Sequence, residues 1–428
     1  MHGGPPARNA CPVSDYTVTQ LEYTPLFKVI DAVLRVLDWL GLPLTRLDPD
    51  RILRSARRST GLTDWGADDF QEPMRRLLAS AEEKPLTGIA RFSTHQICVK
   101  AVQNRLWVED YIRRHPEVED IRIDRPVFIL GFPRTGTTLL QNLMSQTETL
   151  RPLRFWELSS PVPMPGDREQ DLRIRRSRAE TIVKAAYFIA PEQKHIHQLG
   201  VDTAEECWPL FFNAFQVMNY DLTADFREFG DWMMGRDMVP AYRYYKRQLQ
   251  VLAHHTPTKH FLLKCPEHLW FVDALLEVFP DACVVWTHRD PLASVASYCS
   301  LSSLQRRMLY GRIDRPAIGR HIQDRFRIGV ERAMAARSAI ADESRFFDVD
   351  FLELVQDPLA MVHRINAHFG LPQGDEADVA MQSWLDNGRK DKRGRHRYSA
   401  EQWGLDGEAI HREFAPYIDQ FAIPVKEG

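Results

Sequence analysis

The sequence lacks an excess of charge of either sign. Its 55 Lys and Arg stand against 58 Asp and Glu, a formal net charge of -3 at pH 7. General affinity for nucleic acid rests on surplus cations, so no nucleic-acid partner is expected and any anion site must be built locally. No run approaches the roughly eighteen uninterrupted apolar residues of a membrane-spanning helix. The stretch from Met1 to Tyr16 is polar and has no apolar core of a secretory leader. The six cysteines, at 11, 98, 207, 265, 283 and 299, include no C-x-x-C pair, which argues against a zinc ribbon or a disulfide framework. A soluble chain in a reducing, cytoplasmic compartment is expected, and 428 residues suffice for one large domain or a domain with a substantial cap.

What is present is concentrated between Pro126 and Met144, PVFILGFPRTGTTLLQNLM. Val127 to Leu130 read as a short buried strand, Gly131 to Gly136 break it, and Leu139, Leu140, Leu143 and Met144 recur at helical spacing. A strand, a glycine loop and a helix in that order turn backbone N–H groups and a positive helix end toward one point, which makes an anion site. Arg134, Thr135, Thr137 and Thr138 add a guanidinium and three hydroxyls. A nucleoside triphosphate loop would carry Lys directly after its second glycine. Thr137 stands there instead, and the cation, Arg134, lies inside the loop.

FPRTGTT is similar to the P-[KR]-[ST]-G-T-T signature of sulfotransferases, which use 3′-phosphoadenosine 5′-phosphosulfate (PAPS) and release the 3′,5′-bisphosphate (PAP). The resemblance implies that Arg134, Thr135, Gly136, Thr137 and Thr138 grip the 5′-phosphate. A second stretch, Phe261 to Ser300, reads as strand, helix, strand, so that Lys264 and Arg289 emerge at strand ends on the same edge as the glycine loop. Asp290-Pro291 then opens a helix carrying Ser294 and Ser297. Arg289 followed eight residues later by Ser297 resembles the family's 3′-phosphate pair. Lys264-Cys265-Pro266-Glu267-His268 occupies the place of its Lys-Thr-His, with two residues inserted; Lys264 would contact the transferring group and His268 would serve as base. A third stretch, Asn387 to Tyr398, holds six Lys or Arg in residues 389 to 397. Its Lys392-Arg393-Gly394 resembles the loop with which sulfotransferases close on the 3′-phosphate.

A base must also be sought among the carboxylates. Leu153 to Leu158 reads as a strand that delivers Glu157 to the ligand edge, and several branches of the family use a Glu at a comparable distance beyond the loop. Thr203-x-x-Glu206 reads as a capping box, which leaves Glu206 as a third candidate. The aromatic cluster Trp208, Phe211, Phe212, Phe215 and Tyr220 suits either an apolar acceptor pocket or core packing.

Residues 1 to 120 read as a helical cap packed on an α/β core at 121 to 428. Between residues 24 and 41, Leu26, Phe27, Ile30, Val33, Leu34, Leu37 and Leu40 share one helical face. Core packing is the expected use of that stripe and peripheral membrane contact the alternative. ARRSTGLTDWG and NRLWVEDYIRRHPE in the cap, and GRHRYS with Trp403-Gly404-Leu405 near the end, resemble the bacterial, notably actinobacterial, sulfotransferase branch. The expected fold is a P-loop-like parallel sheet flanked by helices, and the expected reaction moves a sulfuryl group from PAPS to the hydroxyl of a small or lipid-like acceptor. No ligand cluster suggests a metal, and this scheme needs none. A kinase, or a nucleotide- or lipid-binding protein without turnover, are the rival readings.

Overall fold

The computed structural model describes residues 23–42, 44–164, 166–189, 200–372, 374–390 and 399–425. Five parallel strands form one sheet in the order β2-β3-β1-β4-β5: β1 Val127–Gly131, β2 Leu150–Pro152, β3 His260–Lys264, β4 Cys283–His288 and β5 Phe346–Asp350. β1 lies centrally, with Val127 opposite Leu262 of β3 on one side and Cys283 of β4 on the other. Strands covered on both faces must be apolar throughout, and β1, β3 and β4 are buried along their whole lengths.

Alternation along β1 divides the core in two. Phe128 and Leu130 join a large cluster that takes in Trp270, Trp286 and Phe326, whereas Val127 and Ile129 meet Leu140, Leu143 and Met144 of α5 (Thr137–Met144). The larger cluster runs without a break into the helices that precede β1. Of these helices, α1 (Pro25–Trp39), α2 (Pro49–Thr60), α3 (Gln71–Glu82) and α4 (Gly88–Arg114), the last three contribute Ile52, Met74, Leu77 and Val102 to it, while α1 packs in a small separate cluster with Ile89. α2 ends as its sequence indicates: Asp48 accepts from the N–H groups of Asp50 and Arg51, and Gly61 takes the left-handed conformation after the last turn.

Three local expectations are corrected. Leu153 to Leu158 is not a strand, because β2 stops at Pro152 and Phe155–Ser159 forms a short helix, α6. No capping box forms at Thr203; its hydroxyl donates to the Gly200 carbonyl, and the next helix starts only at Trp208. The stripe on α1 is split. Phe27 and Leu34 pack inward, while Leu26, Val29, Ile30, Val33, Val36, Trp39 and Leu40 are exposed. Among the described residues, Phe27 and Leu34 pack against Ile89 and a few half-buried neighbours. Among the described residues, no helix is long and apolar enough to cross a membrane.

The helix Pro291–Tyr310, which carries Ser297, is held from behind by the helices Asn219–Ala224 and Arg315–Ile340. A buried ion pair joins those two supporting helices: Arg325 Nε donates to Asp221 Oδ2 at 2.7 Å and its second nitrogen to Oδ1 at 3.3 Å. Removing one partner of such a pair strands the other charge in the core. Arg325→Ala strands the fully buried Asp221 carboxylate, whereas Asp221→Ala would leave Arg325 paired with Asp231 at 2.7 Å; Arg325→Ala is therefore expected to cost about 3 kcal/mol, read as a lower urea midpoint at unchanged slope.

Candidate functional site

The C-terminal ends of β1, β3 and β4 open onto one cleft. It is lined by Pro133, Arg134, Gly136, Thr137, Thr138, Glu206, Arg289, Leu301 and Phe351 and has a volume of about 250 Å³. Its floor is fixed by a close approach between β1 and β4. At φ 138°, Gly131 lies where a Cβ would stand within 2.5 Å of the Thr287 carbonyl oxygen, so no side chain fits. Thr287 donates to the Leu130 carbonyl at 3.2 Å and meets the Thr135 hydroxyl at 2.5 Å, while Thr135 also reaches the Phe132 carbonyl at 2.7 Å. The Thr135 side chain is thereby turned inward and fully buried. Thr137 and Thr138 open α5 and line the cleft, and Gly136 precedes them at φ 91° as the helix cap.

Two motifs distant in sequence are cross-tied here. Arg289 donates to the Arg134 carbonyl at 2.7 Å across 155 residues, and Arg134 Nε donates to Ser297 Oγ at 3.2 Å across 163 residues. Arg134 adopts φ 73°, an uncommon conformation for a residue with a side chain. The Arg289 guanidinium lies 4.1 Å from the centre of the Phe351 ring, which holds it over the cleft at little hydration cost. Ser297 is buried beside them. Sequence reading missed Phe351, Thr287 and Leu301, none of which carries a motif.

Lys264 ends β3, is buried, and donates to Glu206 Oε1 at 2.9 Å. Burial opposes its charge, but the nearby Glu206 and Glu205 and the bond to Glu206 outweigh that and raise its pKa. Lys264 therefore stays cationic. Glu206, half-buried, is the one carboxylate among the described residues lining the cleft.

The other base candidates are placed differently. Glu157 sits in the first turn of α6, ion-paired with Arg151 and accepting from the Arg154 N–H at 3.0 Å. His268 is buried in the turn Pro266–Phe271; its Nδ1 pairs with the Tyr242 hydroxyl at 2.8 Å and its Nε2 has no hydrogen-bond partner among the described residues. Burial lowers its pKa to about 3, so the ring is neutral. Neither lines the cleft. The aromatic residues Phe211, Phe212 and Phe215 belong to the main core, with Phe211 stacked on Tyr245. Lys392, Arg393 and Gly394 lie outside the described residues.

Glu267 is a buried carboxyl beside this site. One oxygen accepts from the Met218 N–H at 2.8 Å and the other has no partner among the described residues. Burial first, and then the charge of Glu206, push its pKa up to about 8 against the backbone bonds that favour ionisation. A pKa raised on folding stabilises fully below the unfolded value, about 4.3, and that contribution is lost as pH rises through the folded one. Glu267→Gln is thus expected to raise the melting temperature, by more at pH 8 than at pH 5; an increment that shrinks with pH would refute the buried, protonated carboxyl. Gly131→Ala is expected to displace the loop from β4 and abolish ligand binding in the cleft, measured by calorimetry.

Comparison with known proteins gives a consistent result. The sulfotransferase family model matches residues 126–375, more than half of the chain. Sulfotransferase STF1 of Mycobacterium tuberculosis H37Rv is 31% identical, and its crystal structure superposes with a TM-score of 0.76 over 86% of this chain and 98% of that one. Sulfotransferase STF9 of Mycobacterium avium is 29% identical, with a TM-score of 0.80 over 89% of this chain and 98% of its own. Omega-hydroxy-beta-dihydromenaquinone-9 sulfotransferase Stf3 of Mycobacterium tuberculosis is 23% identical over 276 residues, 59% of this chain and 64% of that protein. The chain thus spans less than two thirds of the length of that relative.

Proposed function

This chain belongs to the sulfotransferase family, and from that premise we propose that it transfers a sulfuryl group from PAPS to the hydroxyl of a lipid-like or similarly apolar acceptor, releasing PAP. The observation that carries the proposal is the cross-tie of Arg134, Arg289 and Ser297 at one cleft. It supports a binding site for a nucleotide with phosphates at two separate positions. In this reading the backbone N–H groups of the loop, with Thr137, Thr138 and Arg134, hold the 5′-phosphate, Thr135 acting through its N–H and as a brace. Arg289 and Ser297 hold the 3′-phosphate through charge-assisted bonds. By the family resemblance, Lys392, Arg393 and Gly394, outside the described residues, are assigned to the same phosphate.

The sulfur moves between two oxygens in line, so positioning and charge stabilisation supply most of the rate. As the S–O bond to the donor phosphate breaks, charge grows on that phosphate, and Arg134, Lys264 and the helix end of α5 stabilise it. Proton removal from the acceptor hydroxyl is assigned to Glu206, because it lines the cleft. Glu157 and His268 are assigned supporting places, Glu157 in the first turn of α6 and His268 against Tyr242. Lys264, paired with Glu206, holds the carboxylate in place until the donor's charge draws the ammonium away.

The name of the Stf3 relative specifies an omega-hydroxylated menaquinone, which favours a lipid-like acceptor. The exposed apolar stripe of α1 suits peripheral contact with the bilayer in which such an acceptor sits. The five cysteines among the described residues are free and buried, which fits a cytoplasmic location. A kinase is disfavoured by Thr137 in the place of the phosphate-binding lysine.

Calorimetric titration is expected to show PAP binding more tightly than ADP and ATP-Mg²⁺. Arg289→Ala should remove about 1.5–3 kcal/mol, the worth of a charged hydrogen bond, and with it the preference over ADP. Equal affinity of wild type and variant for PAP would overturn the 3′-phosphate assignment. Glu206→Gln is expected to lower kcat by about 10²- to 10⁴-fold while PAP affinity changes little; an unchanged kcat would remove Glu206 as the base.

A further inference from the structure

A second group of chemistry-bearing side chains lies at the other edge of the sheet. α4 ends at His115, Pro116 begins a tight turn through Asp120 that carries Glu117, and the helix Val239–His255 brings His254 beside them. Both segments lead into the N-terminal ends of strands, Glu117 ahead of β1 and His254 ahead of β3, whereas the cleft described above lies at the C-terminal ends. Glu117 Oε1 stands 3.3 Å from His115 Nδ1 and 3.4 Å from His254 Nε2. All three potential ligand atoms lie within 4.8 Å of one another.

These separations fit a metal better than they fit hydrogen bonds. Zinc binds imidazole nitrogen at about 2.0–2.1 Å and carboxylate oxygen at about 2.0–2.2 Å in a tetrahedron. Two ligands of a tetrahedral ion with bonds of that length stand about 3.3–3.5 Å apart, whereas a charge-assisted N–H···O bond closes to about 2.7–2.9 Å. The outer support is also in place. Tyr111, itself buried, presents its hydroxyl at 2.9 Å from His254 Nδ1, which directs Nε2 toward Glu117. Its ring lies 4.6 Å from that of His115 and edge-on to His254 at 5.8 Å. His115 and His254 lie at the C-terminal ends of two helices, where partial negative charge favours a cation. The nearby cations have other partners: Arg113 and Arg114 pair with Asp110, and Arg247 with Glu109 and Glu119. His254 also lines a hollow of about 250 Å³ formed with Ile121 to Asp124 and Pro257 to Lys259, so the ligand set can be reached from solvent.

We propose that His115, Glu117 and His254 bind a divalent transition-metal ion, with zinc as the best fit, tying the end of α4 to the helix Val239–His255. Two imidazole nitrogens and one carboxylate oxygen suit zinc above magnesium or calcium, and a water completes the fourth position. The ion is separate from sulfuryl transfer, and its place at the opposite edge of the sheet gives it a structural part. Neither His115-x-Glu117 nor His254 forms a recognisable motif, since 137 residues separate Glu117 from His254.

The test uses the full-length chain without an affinity tag, freed of metal by chelation, and zinc chloride titrated by calorimetry against a weak competing chelator. One zinc per chain is expected. The affinity should fall about 10- to 100-fold in Tyr111→Phe and by more in Glu117→Gln and in the double variant His115→Ala/His254→Ala. Zinc should raise the melting temperature of the wild type and leave that of the double variant unchanged. X-ray absorption at the zinc edge should report two imidazoles in the first shell, a readout independent of whether every variant folds. Absence of stoichiometric binding, or wild-type affinity retained in folded Glu117→Gln and in the double variant, overturns the proposal. PAP affinity is expected to be equal with and without zinc, which distinguishes failure here from failure of the donor assignment.

Discussion

At the end of β1 the backbone of Gly131 passes so close to Thr287 that not even a methyl group fits between them. The rest of the cleft depends on this approach. It lets Thr287 reach both the Leu130 carbonyl and the Thr135 hydroxyl, so the loop is fastened to β4 before any ligand arrives. With the loop fixed, the left-handed backbone of Arg134 presents its carbonyl to Arg289 and its guanidinium to Ser297. Two cations that would repel across open water are held in one arrangement by hydrogen bonds to neutral oxygens and by the Phe351 ring. A site of this kind meets its anionic ligand with little reorganisation.

The chain is nearly neutral overall, so this concentration of positive charge is local. Elsewhere the cations are spent within the fold: Arg105 on Asp69, Arg175 on Asp171, Arg325 on Asp221 and Asp231, and Arg337 on Glu343 and Asp348. Lys264 is buried like those residues but sits at the edge of the cleft and pairs with a half-buried carboxylate.

The sequence made legible whatever was carried by long periodic segments or by motifs with a backbone requirement. The strand and loop at Val127 to Gly136, the strand-helix-strand unit from Phe261 and the helix opened by Asp290-Pro291 stand as read. Short elements were misread because they hold too few residues to show a period: β2 has three and α6 five. Glu157 fell in the second of these, where it serves as a helix-start partner to the Arg154 N–H. The pairing of Glu206 with Lys264 spans 58 residues and has no local signature, whereas Thr203-x-x-Glu206 has one that the fold does not use. The stripe on α1 marked a helix correctly but not what covers it, since periodicity reports a face and not its neighbour. The proposal that the second anion position belongs to a 3′-phosphate rests on the family resemblance, since the physics of the residues alone names only an anion.

One cleft is proposed to hold both phosphates of PAP, and a crystal structure of the chain with PAP bound tests this most directly. The 5′-phosphate is expected against the N–H groups of residues 135–138, with the 3′-phosphate on Arg289 and Ser297 and Glu206 facing the vacant sulfuryl position. A 5′-phosphate bound away from the loop after β1, or a 3′-phosphate that makes no contact with Arg289, would contradict it.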